Sequence, residues 1–431
     1  MPASTAEGDA EAAYARMVEA DLLRNYLAHL AHGLLGQTGF RLLNAPTFLP
    51  AYVLLLSGGS NMAVGVVLSL QAFGMVLTPM LGATLIEHRS RVLPMGFVTG
   101  GLMRIMVLLI AVAGLVFEPD WALVAIGVFV LGFGLFMGMQ GVIFNFLMSK
   151  VIPVSKRGRL TGLRNFLAGL TSAGVAWFGG EYLLGETPTI VGYSWTFMMA
   201  FVLTSVGLAT LVFVREPEPP SLRVRTPFGR RLRELPRFMR EDPAFARYVA
   251  ARALATMGRM AAPFYILYAG QEIGLTGTTL GVLTVAFTLS GTFSNLVWGA
   301  LADRYGFRLT FLASMALWIL STVLLMFSGG LLFTALVFVG IGAAFQGFQQ
   351  SSMNLTLEFG HRDDLPMRIA LANTASELAG TIGPLLGGAL AAALGYVAVF
   401  HASILFLVVG SVLILRFVPE PRASLDRARA V

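Results

Sequence analysis

The sequence predicts an all-α membrane protein whose twelve transmembrane helices form two pseudo-symmetric halves of six. Three observations predict this fold: the apolar composition, the regular spacing of apolar runs, and an internal repeat. Of the 431 residues, 56% are hydrophobic and 12% are charged, whereas ordinary soluble domains carry about 25% charged residues. A soluble domain cannot bury so much apolar surface, and each membrane crossing needs about 20 apolar residues.

Long continuous apolar runs, separated by short polar breaks, predict helices rather than the alternating strands of a membrane barrel. We number these runs as spans 1 to 12, and use the numbers throughout. The spans are predicted at about 30–55, 61–86, 92–117, 121–148, 161–184, 190–214, 247–271, 277–301, 307–327, 331–357, 368–394 and 397–418.

The basic residues alternate between loops. They occupy the breaks after spans 2, 4, 6, 8, 10 and 12, while the other breaks carry acids: Glu118, Asp120, Glu186 and Glu272. The positive-inside rule then places both termini in the cytoplasm and the chain in the cytoplasmic (inner) membrane. The net charge of +7 is therefore interpreted as a topology signal that favours membrane lipids, not nucleic acid, as a partner.

The polar breaks also divide the chain. We predict a cytoplasmic N-terminal segment at 1–28, an N-terminal half at 29–214, and a cytoplasmic central loop at 215–244. A C-terminal half follows at 245–418, and a cytoplasmic tail at 419–431.

The two halves repeat at an offset of about 205 to 217 residues. Gly65 of span 2 aligns with Gly281 of span 8, and the pair Gly179-Gly180 of span 5 aligns with Gly387-Gly388 of span 11. Further aligned pairs are Glu87 with Asp303 and Asn165 with Asn373. Two six-helix halves in the same orientation predict parallel repeats about an axis along the membrane normal, with a central cavity between them.

Two motifs carry a family resemblance that covers nearly the whole chain. The segment GALADRYGFR, from Gly299 to Arg308, resembles the signature loop of the major facilitator superfamily, and GTIGPLLGG, from Gly380 to Gly388, is similar to its glycine-proline helix. The first-half counterpart, ATLIEHRSRV, is degenerate, with Glu87 in place of the aspartate. The resemblance implies a secondary active transporter with rocker-switch alternating access, and not an enzyme.

The signature loop supplies candidate gating residues: Gly299, Asp303, Arg304, Gly306, Arg308 and, by the repeat, Glu87. We expect the two glycines to allow a tight turn and close helix approach. Our hypothesis is that Asp303 meets span 5 near Arg159 or Arg164 and that Glu87 meets span 11 near Arg368, which would hold the halves closed. The alternative is a loop of exposed charges that only sets topology.

Three arginines, Arg41, Arg104 and Arg259, lie near the middle of spans, while the other basic residues are assigned to the basic loops. A central arginine costs at least about 2.5 kcal/mol on insertion scales, so each needs compensation. Arg41 and Arg259 are each followed within five residues by proline. The resemblance implies that spans 1 and 7 line the cavity, where paired guanidinium groups suit a carboxylate or phosphate.

The alternative for this pair is that neighbouring side chains or helix carbonyls satisfy both arginines, which then only stabilise the bundle. Arg104 lies on span 3, a supporting helix in the family, and is a buried charge of unknown role. Further substrate-binding candidates are Asn44, Gln140, Tyr265 and Gln349. About half of such polar residues serve instead to hold helices together.

Glu377 is the only carboxylate deep within a span. An isolated buried carboxylate is neutral unless it is paired, so Glu377 is either a proton carrier or the counter-ion of an arginine. The two roles are compatible, because protonation would release the arginine for substrate.

The sequence therefore predicts a proton-coupled carrier of a small organic or phosphorylated anion, acting as a monomer with a proton or another coupling ion. The first alternative is export of amphipathic drugs or lipid-like compounds. A transporter-like membrane receptor is the second alternative. The absence of cysteine and the scatter of five histidines predict no metal site, and no cofactor or catalytic residue is expected.

Overall fold

The computed structural model describes residues 2–219, 229, 239–359 and 365–418. A helix at Pro2–Ala20 precedes the first half. The helices of that half are Leu22–Asn44 and Phe48–Leu56 (span 1), Asn61–Met75 and Thr78–Ile86 (span 2), Leu93–Val116 (span 3), Pro119–Val151 (span 4), Val154–Phe178 with a π-helical turn at Gly179–Leu184 (span 5), and Ile190–Ala209 with a 3-10 turn at Thr210–Phe213 (span 6).

The second half repeats this order. Its helices are Pro243–Met257 and Ala262–Ile273, joined by a 3-10 turn at Gly258–Ala261 (span 7), Gly277–Tyr305 (span 8), Phe307–Leu325 (span 9), Leu331–Leu357 (span 10), Leu365–Leu394 (span 11) and Tyr396–Phe417 (span 12). The predicted tail at 419–431 and most of the predicted central loop lie outside the described residues.

Within the described chain, nine helices are long and apolar enough to cross a membrane, and ten if the bent pair of span 1 is one crossing. The two remaining predicted spans, 5 and 7, are helical but fall outside this count. Span 5 opens with four basic residues, Lys156, Arg157, Arg159 and Arg164, and span 7 is interrupted by its 3-10 turn. The all-α membrane fold is confirmed, while the number twelve stays a prediction.

Spans 1 and 7 are both broken beside the mid-span arginines. Span 1 bends by 47° where Ala45, in extended conformation, precedes Pro46. In span 7, the 3-10 turn contains Arg259, and the next helix has Pro263 in its first turn. Proline lacks an N–H and disfavours α-helical geometry in the residue before it. The two prolines therefore interrupt equivalent helices at equivalent places, next to Arg41 and Arg259.

The halves meet along two seams, span 2 against span 11 and span 5 against span 8. Glycines form the closest crossing in each. A methyl group on Gly65 would lie 2.4 Å from the carbonyl oxygen of Pro384 and 2.9 Å from the Cα of Gly388. One on Gly180 would lie 2.3 Å from the carbonyl oxygen of Gly277. Backbones can touch there only because the side chains are absent.

The two ends of the molecule pack differently. We call the end with the acidic loops, where spans 1 and 7 finish, the acidic end, and the opposite end the basic end. One hydrophobic core joins both halves at the acidic end, and includes Tyr52 and Val64 with Phe264 and Leu280. The other core clusters of the described residues each stay within one half, as Leu147 does in the first. The shared hydrophobic core therefore joins the halves at the acidic end, whereas each cluster nearer the basic end belongs to one half.

Each half is tied at the basic end by a carboxylate that flanks the central loop. Glu216 forms a buried salt bridge with Lys150 and accepts from the backbone N–H groups of Val92 and Leu93, at the start of span 3. Asp242 caps span 7 and bonds Arg368 of span 11 at 2.6 Å. These ties hold the helices of one half together rather than linking the halves.

Asp242 is more acidic than an ordinary aspartate. Burial alone would raise the pKa of its carboxyl group, but the N–H of Phe245 and the Arg368 guanidinium bind the charged form and lower the pKa below its usual value. The Asp242–Arg368 pair therefore remains ionised through the neutral and mildly acidic pH range.

Candidate functional site

A cavity of about 500 Å³ lies between the halves, within the roughly 300–1,000 Å³ typical of small-molecule sites. Its charged lining residues are Arg41, Arg259 and Glu377. Two other lining residues, Asn44 and Gln349, are exposed. Gln349 lies toward the basic end of span 10, so we interpret the cavity as open toward that end, with the shared core at the acidic end.

Arg41 projects from the first half and is held by both halves. Its Nη1 donates to Thr292 Oγ1 of span 8, and its Nη2 to the carbonyl oxygen of Asn165 of span 5, each at 3.2 Å. The Thr292 hydroxyl in turn occupies the space that a side chain on Gly169 would need. Arg41 therefore connects spans 1, 5 and 8 at the level of the cavity.

A second cation, Arg164, lies close to Arg41 in the first half. With its amide oxygen turned toward span 5, Gln37 accepts from Nε and Nη2 of Arg164 at 2.9 and 2.8 Å. The Arg164 guanidinium lies 4.6 Å from the ring of Phe144, and its aliphatic stem fills the place where a Cβ on Gly33 would be. The first half therefore packs Arg164 beside span 1, one turn from Arg41.

Arg259 has a different environment. Within the described residues, its guanidinium makes no hydrogen bond or salt bridge, and the same holds for the carboxylate of Glu377. Arg259 and Arg252 are the cations that act electrostatically on Glu377. Arg252 is itself fixed by Thr356 Oγ1 at 3.0 Å and Asn373 Oδ1 at 2.9 Å. The second half thus presents a guanidinium group and a carboxylate to the cavity, neither of which is held by a hydrogen bond or a salt bridge within the described residues.

The amides around the cavity bond largely to one another. Gln71 Nε2 donates to Asn44 Oδ1 at 2.6 Å, and Gln346 Nε2 donates to Asn295 Oδ1 at 3.0 Å. Gln349 is exposed at the mouth. The predicted residues Asn44 and Gln349 therefore line the cavity, joined by Gln71 and Gln346.

The structure does not place Gln140 or Tyr265 in this cavity. Gln140 is buried inside the first half, where its Oε1 accepts from Thr99 at 2.6 Å. Tyr265 is fully buried, and its hydroxyl bonds Thr322 at 2.8 Å and Trp318 at 2.9 Å. Both residues satisfy their polar groups between helices of one half, so they are corrected from substrate-binding candidates to packing residues in this conformation.

Arg104 is held within the first half by two of its three guanidinium nitrogens, while its Nη2 has no hydrogen-bond partner within the described residues. It is 2% exposed, donates to the carbonyl oxygens of Thr204 and Gly100 at 2.6 and 2.8 Å, and lies 5.2 Å from the ring of Phe40. These contacts offset part of the cost of a charge in the bilayer. Arg104 does not line the cavity, and we interpret it as a structural residue.

The residues of the signature loop have two kinds of role: Gly306 forms a turn, and the arginines contact neighbouring residues. Gly306 has φ of +88°, which side-chain-bearing residues rarely adopt, and ends span 8 as predicted. The expectation for Gly299 is wrong, because a Cβ there would meet only an amide nitrogen at 3.8 Å. Arg308 donates to Leu415 O of span 12 at 2.8 Å, and Arg304 lies over the adjacent Tyr305. Asp303 and Glu87 both have interaction partners.

Sequence reasoning considered Gln37 only as a neighbour that could satisfy an arginine in the alternative interpretation, and it missed the other residues packed around the arginines and Glu377: Arg164, Asn165, Thr292 and Arg252. Arg164 and Arg252 had been assigned to basic loops, but both pack inside their halves. The repeat aligns Asn165 with Asn373, but only Asn373 binds an arginine through its side chain, whereas Asn165 binds Arg41 through its backbone carbonyl, which the residue type does not signal. In the described part of the chain, no three His, Asp or Glu side chains group as metal ligands would.

Comparisons with known proteins agree with this geometry. Residues 248–431 match the family model described as Major Facilitator Superfamily. None of the curated proteins matches the sequence.

Among solved structures, the D-xylose-proton symporter superposes with a TM-score of 0.69 and 14% identity, covering 93% of this chain and 99% of that one. A mutant of the nucleoside transporter NupG gives 0.67 and 14%, covering 92% and 98%. A bacterial homologue of the iron transporter ferroportin, in its inward-facing state, gives 0.63 and 13%, covering 92% and 99%. At these identities the likeness shows the fold alone.

Proposed function

From its fold and from the match of residues 248–431 to the Major Facilitator Superfamily model, we propose that this chain is a member of that superfamily and a secondary active transporter of a small organic or phosphorylated anion. One observation carries the proposal. Arg41 and Arg259, contributed by opposite halves, line one small-molecule cavity together with Glu377. Cations on both sides of a closing cleft favour an anion held between them.

Proton coupling is the second part of the proposal. Glu377 lines the same cavity as Arg259 and interacts with it electrostatically. When Glu377 takes up a proton, its attraction for Arg259 disappears and the guanidinium is free to bind the anion. Proton and anion then enter together. One of the structurally similar proteins is a proton symporter, which is compatible with this coupling and says nothing about the substrate.

The transport cycle that we propose is a rocking of the two halves. The halves touch at the glycine crossings of the acidic end, and the basic end faces the cytoplasm by the positive-inside rule. Separation of the crossings, with approach of the halves at the basic end, would give the opposite state. Each chain contains a whole cavity between its own halves, which favours a monomer in the inner membrane.

A second candidate is the transport of amphipathic compounds, and the cavity walls favour it. Phe40, Met75, Met137, Phe287 and Phe345 all line the cavity beside the charged residues. An uncharged or cationic amphipathic substrate would bind these walls independently of the arginines.

The deciding experiment is uptake into proteoliposomes that contain the purified chain, with an imposed pH gradient, over a panel of labelled anions and cations. We expect anion uptake that the gradient accelerates, that Arg259→Gln abolishes, and that Glu377→Gln uncouples from the gradient. Arg247→Gln, which removes an exposed charge outside the cavity, serves as the matched control.

Each alternative gives a distinct result. Uptake of cations or neutral compounds that survives both Arg41→Gln and Arg259→Gln would establish the amphipathic exporter instead. A thermal shift with an anion, but no uptake under any gradient, would indicate a receptor.

A further inference from the structure

We infer that the substrate is an organic dianion, a dicarboxylate or a phosphate monoester, and that it enters with one proton, so that each transport event moves one net negative charge. This inference rests on the proposed function, from which it takes the protonation of Glu377. Three observations support it: the charge of the cavity lining, the guanidinium groups close to that lining, and the hydrogen-bonding capacity of the lining amides.

The cavity lining has an excess of positive charge. Its charged residues are Arg41, Arg259 and Glu377, and the proposed coupling binds the anion when Glu377 is protonated. The lining then has a charge of about +2, from one guanidinium group of each half. A charge that is enclosed without a counter-ion costs free energy, because water no longer solvates it. A monoanion would leave one such charge when the halves close around it, whereas a dianion leaves none.

Two further guanidinium groups near the cavity strengthen the positive potential. Arg164 interacts electrostatically with Arg41 in the first half, and Arg252 interacts with Glu377 in the second. The groups that accept hydrogen bonds from Arg164 and Arg252 within the described residues are neutral amide and hydroxyl oxygens. Since Glu377 is the only carboxylate deep within a span, its protonation leaves these cations without an acidic side chain at their depth. The negative charge has to come from the ligand.

Both lining arginines have donors for the ligand. A guanidinium group carries five N–H donors. Arg41 keeps donors besides those that bind Thr292 and Asn165, and Arg259 has no hydrogen bond or salt bridge within the described residues. Because the two arginines belong to opposite halves, a dianion can be bound from both sides of the cleft. A dicarboxylate would place one carboxylate at each arginine, and a phosphate monoester would share its phosphate between them.

The amides of the lining can bond the body that carries these charges. A primary amide has two N–H donors and a carbonyl oxygen. Gln71 and Gln346 each use one N–H, toward Asn44 and Asn295, and each keeps its carbonyl oxygen and a second N–H. Gln349 is exposed to the cavity. Hydroxyl groups or ester oxygens between the two charges can therefore be paired while the existing amide bonds remain.

The first test compares each dianion with a monoanion of nearly the same size and shape. The pairs are succinate with its monoamide, succinamate, and glycerol phosphate with its methyl ester. We expect the dissociation constant of the purified full chain at pH 7 to be about tenfold lower for the dianion, as for one additional hydrogen bond between charged groups. The pair with the tighter dianion identifies the group that carries the charges.

Charge variants make this comparison specific. Arg41→Gln lowers the charge of the lining by one, so the ratio of the monoanion Kd to the dianion Kd should fall severalfold. A change in the conformational equilibrium, or a partial loss of folded protein, alters both constants equally and cancels in the ratio. Arg247→Gln removes an exposed arginine outside the cavity, and should keep the wild-type ratio.

The second test counts the charge that is transported. A proton with a dianion moves one net negative charge, whereas a proton with a monoanion moves none. In proteoliposomes at a fixed pH gradient, an inside-negative potassium diffusion potential should therefore lower the steady-state accumulation of the dianion by about 50-fold for each 100 mV. An inside-positive potential should raise the accumulation by the same factor.

Two contrary results separate this inference from the function on which it rests. If the monoanions bind as tightly as the dianions and accumulate independently of the potential, while Arg259→Gln abolishes their binding, the dianion assignment is overturned and proton-coupled anion transport stands. If no anion of either charge accumulates and Arg259→Gln leaves binding unchanged, both are overturned.

Discussion

Arg41 and Arg259 occupy equivalent places in the two halves, yet the two guanidinium groups have different environments. Arg41 donates to Asn165 in its own half and to Thr292 in the other. Arg259 has no hydrogen bond or salt bridge within the described residues. A duplicated position has thus kept its residue type while its partners diverged.

This difference indicates that the two arginines have different roles, one in positioning helices and the other in binding a ligand. A guanidinium held by two acceptors positions helices, and it can bind a ligand only with its remaining donors. One without partners is available to the ligand in full. We therefore regard Arg41 as the residue that relates the halves and Arg259 as the residue that binds the anion.

The largest expected effect distinguishes these tasks directly. Arg259→Gln removes a charged donor from the ligand, so anion affinity should fall by about 10- to 100-fold. Arg41→Gln should weaken affinity less and instead alter the conformational equilibrium. Binding isotherms for both variants measure the contrast, with Arg259→Lys and Arg41→Lys as charge-retaining controls. Equal losses from the two glutamine variants would contradict the division of tasks.

The next largest effect, on the transport rate, is expected from displacing Arg164, which packs beside span 1. A Cβ on Gly33 would lie 1.7 Å from Cγ of Arg164, so Gly33→Ala must displace Arg164 from Gln37. Transport should fall by about tenfold, as expected for one lost hydrogen bond to a charged group. Gly101→Ala is the matched control, because no atom lies within 4 Å of the added methyl group. Similar uptake rates for the two variants would show that Arg164 is dispensable.

The contact between the halves is tested by Thr292→Val, which removes the acceptor for Arg41 Nη1 at almost constant volume. We expect the equilibrium constant that relates the basic-end-open state to the opposite state to fall about fivefold, for about 1 kcal/mol of hydrogen bonding. The readout is labelling of a thiol at Gln349→Cys, since the chain has no native cysteine. Thr310→Val, whose hydroxyl bonds within its own half, is the control and should label at the wild-type rate.

The smallest effect belongs to the Asp242–Arg368 pair. Asn is as good a helix cap as Asp, so Asp242→Asn removes only the ion pair, and the free energy of unfolding should fall by about 0.5 kcal/mol. Because the pKa of Asp242 is lowered in the folded protein, its contribution is present at neutral pH and lost as the pH falls through the folded-state value.

The pH dependence of transport between about pH 5.5 and 8 should therefore be unchanged in Asp242→Asn, while Glu377→Gln should flatten it. Uptake rates against pH for both variants check this. A shifted profile in Asp242→Asn would mean that the basic-end tie takes part in coupling.

The fold could be predicted from the sequence because its main signals, the apolar runs and the aligned residues of the repeat, are visible along the chain. Apolar runs located the helices, and the aligned glycines, Gly65 with Gly281 and Gly180 with Gly388, lie at or beside the closest crossings of the two seams. Arg41 and Arg259 were placed in one cavity by their nearly equivalent positions together with the family resemblance, which implies that spans 1 and 7 line it. In each case the repeat supplied a three-dimensional relation that hydropathy alone lacks.

The remaining site residues depend on which way a side chain points, and membrane helices conceal this. A helix that is apolar on every face gives no periodic signal for its inner side, so Gln140 could not be distinguished from Gln349. Charge counting failed for a related reason. Arg164 and Arg252 follow loops rich in arginine, and only the packing shows that they belong to the interior.

Glycine crossings and a shared core hold the halves together at the acidic end. The rocking proposed above would therefore widen the molecule in one leaflet while narrowing it in the other. Each transport cycle therefore exchanges cross-sectional area between leaflets against their lateral pressure. Lipids that change this pressure differ in their interaction free energy with the two states, so we expect bilayer composition to act on the transporter as an allosteric ligand does.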